Sequence, residues 1–294
     1  ILKERFSRER IFARETFTDM GIDSLALIDL IVYLEERLRV TIDIARMKQI
    51  QTMDELLVFL GSLEEKEGDG INKRLFESKI EEKPLPFFNP LYHIFIWIFS
   101  AACRFFWHFE VKNRDKLKFE NNIIAANHTS YLDMMWLAIS SPFSKRRYVY
   151  VAGSADLKLL RYSFPLLPVI WVDQKNTLDV LKKSADILRL GYTLIIFPEG
   201  GRSADGKFME FRTGAAFLAK NLGKQIIPVS INGAYDIWSR HRLLPVFSRK
   251  LKGNIIAGDA IDPDNYSTVE SLTEALKEKI AGNLEDLNST GWCR

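Results

Sequence analysis

The feature that most constrains the fold is a series of short apolar runs, rich in β-branched residues, that alternate with longer amphipathic stretches beyond residue 120. The runs lie at 122–126, 148–152, 168–172, 193–197, 225–231 and 254–257. Helical spacing marks the stretches between them at 178–190 and 214–222, and an amphipathic stretch at 266–288 follows the last run. Strands that alternate with helices predict an α/β fold, in which a mixed sheet is flanked by helices.

A polar stretch at 61–83 separates this region from a smaller N-terminal one. Charged residues and glycine accumulate there, which is typical of a linker. The preceding residues carry two predicted helices, at Ser24–Leu38 and at 52–60. We therefore expect a small all-α domain over 1–60, a linker over 61–83 and the α/β domain over 84–294.

Charge and cysteine content exclude several classes of protein. The 294 residues include 41 basic and 38 acidic side chains, and a net charge of +3 is too small for a typical nucleic-acid binder. The first 80 residues have 13 basic and 16 acidic side chains, and the rest have 28 and 22. Cys103 and Cys293 predict neither a disulfide framework nor a metal site. The two isolated cysteines favour a reducing compartment. No secretory leader opens the sequence, and a start at Ile1 favours a fragment of a longer protein.

Residues 84–111 form the most apolar and aromatic stretch of the chain. A transmembrane helix needs about 20 predominantly apolar residues, whereas Arg104 and two histidines interrupt this stretch, and an arginine inside the hydrocarbon is costly. The pattern favours a helix embedded in one leaflet or lying at the interface, with Trp97, Trp107 and Arg104 near the headgroups. A buried helix of the α/β domain is the alternative.

Ser24 follows Asp23 at the predicted start of a helix, within the string Gly-Ile-Asp-Ser-Leu at 21–25. A serine at such a position is often only an N-cap. The string and the acidic side of the following helix resemble the 4′-phosphopantetheine attachment site of acyl carrier proteins over residues 1–60, with the first helix truncated or altered. The resemblance implies a covalent phosphopantetheine on Ser24, added by a phosphopantetheinyl transferase, and an acidic docking helix.

His128 follows the apolar run 122–126, and Asp133 lies five residues later. On one continuous helix a five-residue step separates two side chains, so contact requires His128 to lie in the loop before a helix capped at Ser130. A carboxylate that fixes the histidine tautomer suits the imidazole to take a proton from a hydroxyl. A structural histidine and a capping-box aspartate are the alternatives. Because no Gly-x-Ser-x-Gly elbow is present, the predicted nucleophile is the substrate's own hydroxyl.

The predicted strand at 193–197 ends in Pro-Glu-Gly-Gly-Arg-Ser at 198–203. Gly200 and Gly201 allow a ligand to approach the backbone closely, and Arg202 offers paired hydrogen bonds to a phosphate or carboxylate. A surface turn with a solvated arginine is the alternative.

Taken together, Asn-His-x-x-x-x-Asp and Phe-Pro-Glu-Gly-x-Arg-Ser resemble the glycerolipid acyltransferases of the lysophosphatidate acyltransferase family, over about residues 85–260. The resemblance implies that His128 is the general base for the acceptor hydroxyl and that Asp133 orients it. The other implied roles are acceptor binding, by Glu199, Gly200 and Arg202, and acyl-donor binding, near Pro228.

One position departs from the family pattern. An arginine that binds the acceptor phosphate commonly follows the apolar run at 168–172, and Gln174 stands there instead, with Lys175 next to it. Lys175 supplies a point charge rather than a planar fork. The acceptor therefore stays open between 1-acylglycerol-3-phosphate and a non-phosphate acceptor such as a lyso amino-lipid.

The two resemblances together imply an O-acyltransferase whose acyl thioester donor is its own carrier domain, another carrier protein or acyl-CoA. A flexible linker of this length spans roughly 25–30 Å, which places the donor at about millimolar local concentration. We expect a peripheral or monotopic protein on the cytoplasmic face of a membrane, where it meets its lysolipid acceptor. The alternatives are a non-catalytic lipid-binding or scaffolding protein and a thioester hydrolase.

Overall fold

The computed structural model describes residues 16–17, 24–38, 40, 42–47, 49–63, 75–76, 80, 90–141, 148–153, 169–172 and 177–289. The chain divides into two compact units, Ile1–Lys79 and Ile80–Arg294.

The first unit is all-α in its described part. Helix α1 spans Ser24–Leu38, which confirms the bounds predicted from apolar spacing, and α2 spans Ile44–Met47. Helix α3 spans Met53–Gly61 and begins with a capping box, because Thr52 Oγ1 accepts from the Glu55 N–H while the Glu55 carboxylate accepts from the Thr52 N–H.

Apolar side chains from all three helices form the core of this unit. Those of the helices that are at most 1% exposed are Leu30, Ile31, Leu34, Met47, Met53 and Leu56, and Ile42, just before α2, is also fully buried. The buried carboxylate of Glu35 accepts the Ile42 N–H at 2.7 Å, so a side chain of α1 satisfies the backbone that precedes α2.

The segment 61–83 is not solvated throughout. Helix α3 extends into it as far as Gly61, and the side chain of Leu75 is buried. An apolar residue within a polar stretch gains by burial, so at least this part of the predicted linker packs against protein.

The second unit is an α/β domain. Its helices are α4 Pro90–Trp107, α5 Leu132–Ser140, α6 Thr177–Arg189, α7 Gly214–Leu222, α8 Ala234–Trp238 and α9 Val269–Ser289. Its strands are β1 Glu110–Lys112, β2 Ile123–Ala126, β3 Tyr148–Gly153, β4 Val169–Val172, β5 Thr193–Ile196, β6 Ile226–Asn232 and β7 Asn254–Ala257. A short 3₁₀ helix spans Pro263–Asn265.

These strands form one mixed sheet in the order β1-β7-β6-β2-β5-β3-β4. All neighbouring pairs are parallel except β6 and β7. Strands β2 and β5 are neighbours, with Ile124 opposite Ile195. The loops that follow these two parallel strands therefore leave the sheet at the same edge.

Helices cover the sheet in two groups. Helix α5 packs with α4 and with α8, and helix α7 packs with α6 and with α9. Alternate residues of a strand face the two groups of helices. Ile124 and Ala126 of β2 belong to a core cluster with Trp136 of α5, whereas Ser230 Oγ of β6 donates to the Ile280 carbonyl of α9. The predicted α/β fold with a mixed, helix-flanked sheet is confirmed.

Helix α4 corrects one prediction for the aromatic stretch. Trp97 and Arg104 are exposed, but Trp107 is only 2% exposed, and its Nε1–H donates to the Val246 carbonyl at 2.8 Å. Trp107 therefore belongs to the domain core and not to a lipid headgroup layer. Within the described part of the chain, no helix has the length and apolar character needed to cross a bilayer.

Candidate functional site

The candidate site lies at the edge of the sheet where β2 and β5 end. His128 follows β2 by two residues, and Glu199 follows β5 by three. The backbone of His128 makes two hydrogen bonds to the loop that follows β5. Its N–H donates to Glu199 Oε1 at 3.1 Å, and its carbonyl accepts from the Ser203 N–H at 2.8 Å. The topology thus joins the two sequence motifs that predicted a site.

A short contact couples His128 to Asp133. The distance from His128 Nδ1 to Asp133 Oδ2 is 2.8 Å, and the same oxygen accepts the N–H groups of Thr129 and Ser130 at 2.7 and 2.8 Å. An oxygen that already accepts two backbone protons favours the tautomer in which Nδ1 donates a third. Nε2 then carries the lone pair. No described residue bonds to it, and 15% of the histidine side chain is exposed.

The start of α5 differs from the predicted capping box at Ser130. The helix begins at Leu132, and Tyr131 in the N-cap position makes no side-chain cap bond. Ser130 Oγ instead accepts the Leu132 N–H and donates to the Trp238 carbonyl, while Asp133 accepts the Ser130 N–H. Only the aspartate half of the box is therefore present, and His128 still lies in the loop that precedes the helix.

Two further contacts fix this loop. The Asn127 side chain donates to the Ile231 carbonyl at 2.9 Å and accepts the Ile231 N–H at 2.7 Å. The ring of His128 stacks on Phe197, with centroids 4.0 Å apart and an interplanar angle of 15°. The imidazole is thus held from β6 and from the end of β5, before any substrate arrives.

Glu199 is a buried carboxyl group beside the pair of His128 and Asp133. Burial raises its pKa to about 8, the hydrogen bond from the His128 N–H opposes that rise, and the charge of Asp133 adds to it. Its Oε2 has no hydrogen-bond partner among the described residues. Glu199 is therefore largely protonated at pH 7 and repels an anionic ligand less than an ionised carboxylate would.

Replacing this carboxyl group should change how the stability of the protein depends on pH. The pKa of Glu199 in the folded state lies above its value in the unfolded state. The free energy of unfolding therefore falls as the pH rises from about 4.5 to about 8, by up to about 1.4 kcal/mol per pH unit. Glu199→Gln keeps an oxygen for the His128 N–H but cannot titrate. We expect the melting temperature of the wild type to fall more steeply over this range than that of the variant, and parallel curves would contradict the assignment.

Gly200 allows an arginine to approach the loop. Its φ is +73°, and a Cβ atom placed there would lie 2.5 Å from Arg212 Nε. Any side chain would therefore displace the Arg212 guanidinium. The Arg212 N–H also donates to the Pro198 carbonyl at 2.8 Å, which closes the loop 198–212 on itself.

Arg202 lies against the histidine loop. Its guanidinium carbon is 3.8 Å from the ring centroid of Tyr131, and its Nη1 is buried with no hydrogen-bond partner among the described residues. The Arg202 carbonyl accepts from Arg240 at 3.3 Å, which helps to fix the backbone. Within the described residues no carboxylate pairs with Arg202 or Arg212, so both guanidinium groups can bind an external anion.

Two of the remaining predicted site residues, Pro228 and Ser24, fall within the described part of the chain. Pro228 is buried in β6, opposite Ala125 of β2. Ser24 is the first residue of α1 in the other unit. Lys175 and Gln174 lie outside the described residues. The described residues contain no group of three His, Cys, Asp or Glu side chains that could hold a metal ion.

Arg212 is the residue of this candidate site that the sequence analysis did not predict. It lies ten residues beyond Arg202, in a stretch with no regular apolar spacing. The available signal was its place immediately before Thr213 and α7, since a long loop that returns to its own start is closed by the residues at its end.

Comparisons with known proteins agree with both halves of this description. Residues 108–232 match the Acyltransferase family, and residues 3–60 match the Phosphopantetheine attachment site family. A chloroplastic 1-acyl-sn-glycerol-3-phosphate acyltransferase of Arabidopsis thaliana is 26% identical over 119 residues, which cover 39% of this chain and 33% of that enzyme. A 1-acyl-sn-glycerol-3-phosphate acyltransferase of Helicobacter pylori is 24% identical over 197 residues, which cover 64% and 81%.

A solved structure gives the same fold. The crystal structure of the 1-acyl-sn-glycerophosphate acyltransferase PlsC of Thermotoga maritima aligns with a TM-score of 0.56 and 20% identity, over 90% of this chain and 96% of that one. The chain spans about a third to a half of the length of several curated relatives that it matches. Both resemblances seen in the sequence are confirmed: a segment that matches the Phosphopantetheine attachment site family precedes one that matches the Acyltransferase family, and the curated relatives are 1-acyl-sn-glycerol-3-phosphate acyltransferases.

Proposed function

We propose that this protein is an O-acyltransferase that moves a fatty acyl group from a pantetheine thioester to the hydroxyl of a lysophospholipid-like acceptor such as 1-acylglycerol-3-phosphate. The observation that carries the proposal is the 2.8 Å contact between His128 Nδ1 and Asp133 Oδ2, which leaves Nε2 on a partly exposed ring to take a proton. The relatives named above are glycerophosphate acyltransferases, which supports the acceptor class.

In the proposed reaction the acceptor hydroxyl gives its proton to His128 Nε2 as its oxygen attacks the thioester carbonyl carbon. The carbon–sulfur bond then breaks, the imidazolium returns the proton to the departing thiolate, and an oxygen ester and a free thiol remain. The Asp133 carboxylate stabilises the imidazolium between these steps. Since a thioester is already activated, positioning of the two substrates and proton transfer account for the catalysis.

The acceptor phosphate is proposed to bind Arg202, which lies over Tyr131, and Arg212, which lies beside Gly200. Both guanidinium groups lack a carboxylate partner among the described residues, and one nitrogen of Arg202 is buried. Two arginines here would supply the planar forks that Gln174 does not. Glu199, largely protonated, adds less repulsion than an ionised carboxylate would.

Removing either arginine should therefore weaken the binding of a phosphate-bearing acceptor. For Arg202→Gln and Arg212→Gln we expect the KM for 1-acylglycerol-3-phosphate to rise roughly 10- to 100-fold, which corresponds to the loss of one or two charge-assisted hydrogen bonds. Steady-state kinetics with 1-acylglycerol-3-phosphate and with neutral monoacylglycerol measure the effect. The matched control is Arg114→Gln, at an exposed arginine whose Nη1 donates to the Ser140 carbonyl. Equal changes in KM for the two acceptors would contradict the phosphate site.

The donor is proposed to be the acyl group carried by the phosphopantetheine arm of the first unit. Residues 3–60 match the attachment site family, and Ser24 stands at the start of α1. The first 80 residues carry a net −3, and the remainder carries +6. Opposite charges favour an encounter between the two domains. A phosphopantetheinyl transferase is the implied partner, and acyl-CoA presents the same thioester from solution.

Ser24→Ala should remove the carrier route alone. After co-expression with a phosphopantetheinyl transferase, we expect intact-protein mass spectrometry to show the arm on the wild type and on Ser62→Ala, a serine at the end of α3, but not on Ser24→Ala. Turnover with acyl-CoA should stay within about twofold in all three proteins, because their acyltransferase domains are identical. An arm that remains on Ser24→Ala would refute the attachment site.

One experiment decides between this function and its alternatives. The intact protein is incubated with labelled acyl thioester and a panel of lysophospholipid and lyso amino-lipid acceptors, and the lipids formed are identified by mass spectrometry. An acylated lysophospholipid supports the proposal, and an acylated amino-lipid corrects the acceptor class. Acceptor binding without product would favour a scaffolding role, and free fatty acid without acceptor would favour hydrolysis. Fractionation and protease protection test the proposed peripheral location on the cytoplasmic face of the membrane.

A further inference from the structure

The loop at 239–252, which we call the basic loop, exposes large apolar side chains. Leu243 is 87% exposed, Leu244 is 71% exposed and Phe247 is 61% exposed. Isolated exposed apolar residues are ordinary on a protein surface, but adjacent ones that share a patch indicate a contact with another apolar phase.

Helix α4 presents a second exposed apolar row. Ile94, Trp97, Ile98 and Phe105 are each more than half exposed. Steps of three, four and seven residues place them on one side of a helix. The opposite side, with Ile96, Cys103 and Trp107, is buried in the core of the domain.

The basic loop packs against the C-terminal end of helix α4. Phe247 of the basic loop stacks on Trp107 with centroids 5.7 Å apart, and it meets Phe106 edge to face at 5.2 Å. Arg249 lies 5.0 Å from the ring centroid of Phe105. The basic loop is therefore packed along the end of α4.

Charge identifies the kind of surface that this patch fits. The basic loop contains five basic side chains and no acidic one, and helix α4 carries Arg104 and no acidic residue. Exposed leucine and aromatic side chains bordered by arginine and lysine match an anionic phospholipid bilayer, whose headgroups attract the cations while its acyl chains take up the apolar groups.

The basic loop also contacts the loop between β2 and α5, which carries His128 and which we call the catalytic loop. Ser239 pairs with Ser130 in an isolated β-bridge, and Ser130 Oγ donates to the Trp238 carbonyl at 2.7 Å. Arg240 donates to the Arg202 carbonyl, and His241 Nε2 lies 3.1 Å from the Ala204 carbonyl oxygen. One short segment thus contacts the exposed patch, the loop of His128 and the loop of Arg202.

We propose that the basic loop and the exposed row of α4 form one surface that docks on an anionic phospholipid bilayer. Docking would hold the catalytic loop beside the headgroup layer, where a lysolipid acceptor presents its hydroxyl and phosphate. The inference rests on the proposed function for the nature of the substrate, whereas binding to the bilayer is measured without any reaction.

The test uses the full chain, with Leu243→Ser combined with Leu244→Ser as one variant and Arg249→Gln combined with Lys250→Gln as another. Cosedimentation with phosphatidylcholine vesicles, with or without phosphatidylglycerol, measures partitioning. We expect the leucine variant to bind on the order of 10- to 100-fold more weakly. The charge variant should lose roughly 10-fold in affinity for the anionic vesicles alone, and less at high salt.

The matched control is Leu57→Ser combined with Val58→Ser, an adjacent and exposed apolar pair on α3. It should bind vesicles as the wild type does, because it lies outside the proposed surface. Turnover of a monomeric short-chain lysophosphatidate should stay within about twofold in the loop variants, whereas turnover of a vesicle-embedded acceptor should fall with binding. Absence of transfer in the wild type would count against the proposed function and not against docking.

Unchanged vesicle binding in both loop variants would overturn the proposal. Unchanged vesicle binding together with a loss of transfer from the phosphopantetheine arm would also overturn it, because the basic loop would then contact the carrier domain instead of lipid. Substitutions of exposed side chains of this kind seldom change stability by more than about 0.5 kcal/mol, and thermal melts of each variant verify that the domain is folded.

Discussion

His128→Ala should lower acyl transfer by about 10³-fold or more, to the background of the assay. The substitution removes the proposed proton acceptor and leaves the backbone contacts of residue 128 with Glu199 and Ser203 available. The fold should persist, since the lost contacts are the stacking on Phe197 and one hydrogen bond. Turnover with saturating acyl-CoA and 1-acylglycerol-3-phosphate measures the effect.

The control for this result is His108→Asn. His108 is exposed and has a φ of +45°, a conformation that asparagine also adopts. It should retain turnover within about twofold of the wild type, because surface substitutions away from the site are usually almost neutral. Full turnover in purified, folded His128→Ala would remove the catalytic assignment.

Asp133 should show a graded response that separates its charge from its geometry. In Asp133→Asn the amide oxygen can occupy the place of Oδ2 and accept the same three protons, while its NH₂ occupies the place of Oδ1, which has no partner among the described residues. The variant keeps the tautomer but loses the charge that stabilises the imidazolium. We expect kcat to fall about 100-fold, within the range typical of general-base catalysis.

Asp133→Ala should be more severe. It leaves the N–H groups of Thr129 and Ser130 without their acceptor, and each buried, unpaired group costs roughly 1–3 kcal/mol. We expect a lower melting temperature and a loss of activity as large as in His128→Ala. The double variant should lose no further activity, because the two side chains act as one unit. Additive losses would mean that the two residues work independently.

The sequence was sufficient where local chemistry determines the structure. Helix α1 has the predicted bounds because its apolar residues follow helical spacing as far as Leu38. The six predicted strands form within one residue of their predicted ends, since each is a short apolar run with β-branched residues. Strand β1 at Glu110–Lys112 escaped prediction because two of its three residues are charged, and only its parallel pairing with β7 makes it a strand.

The site was only partly predictable for a similar reason. The His128 and Asp133 side chains lie five residues apart, so a local argument could place them in contact. Arg212 lies beside Gly200 only because a long loop returns to its own start, and the basic loop is positioned by the packing of Phe247 on Trp107. Both contacts join residues that are distant in sequence. Trp107 itself was placed at the headgroups because an aromatic residue in an apolar helix has the same local pattern whether it faces lipid or core.

The Asn127 side chain makes the hydrogen bonds for the loop of His128 that a main-chain peptide group makes inside a sheet. Its amide pairs with both the N–H and the carbonyl of Ile231, so one side chain extends the hydrogen bonding of β2 and β6 beyond the last strand residue. An aspartate would offer an acceptor but no donor, and a leucine would offer neither. The placement of the imidazole is thus encoded by an amide group next to it in the chain, and it can persist through changes at other strand positions that preserve the sheet.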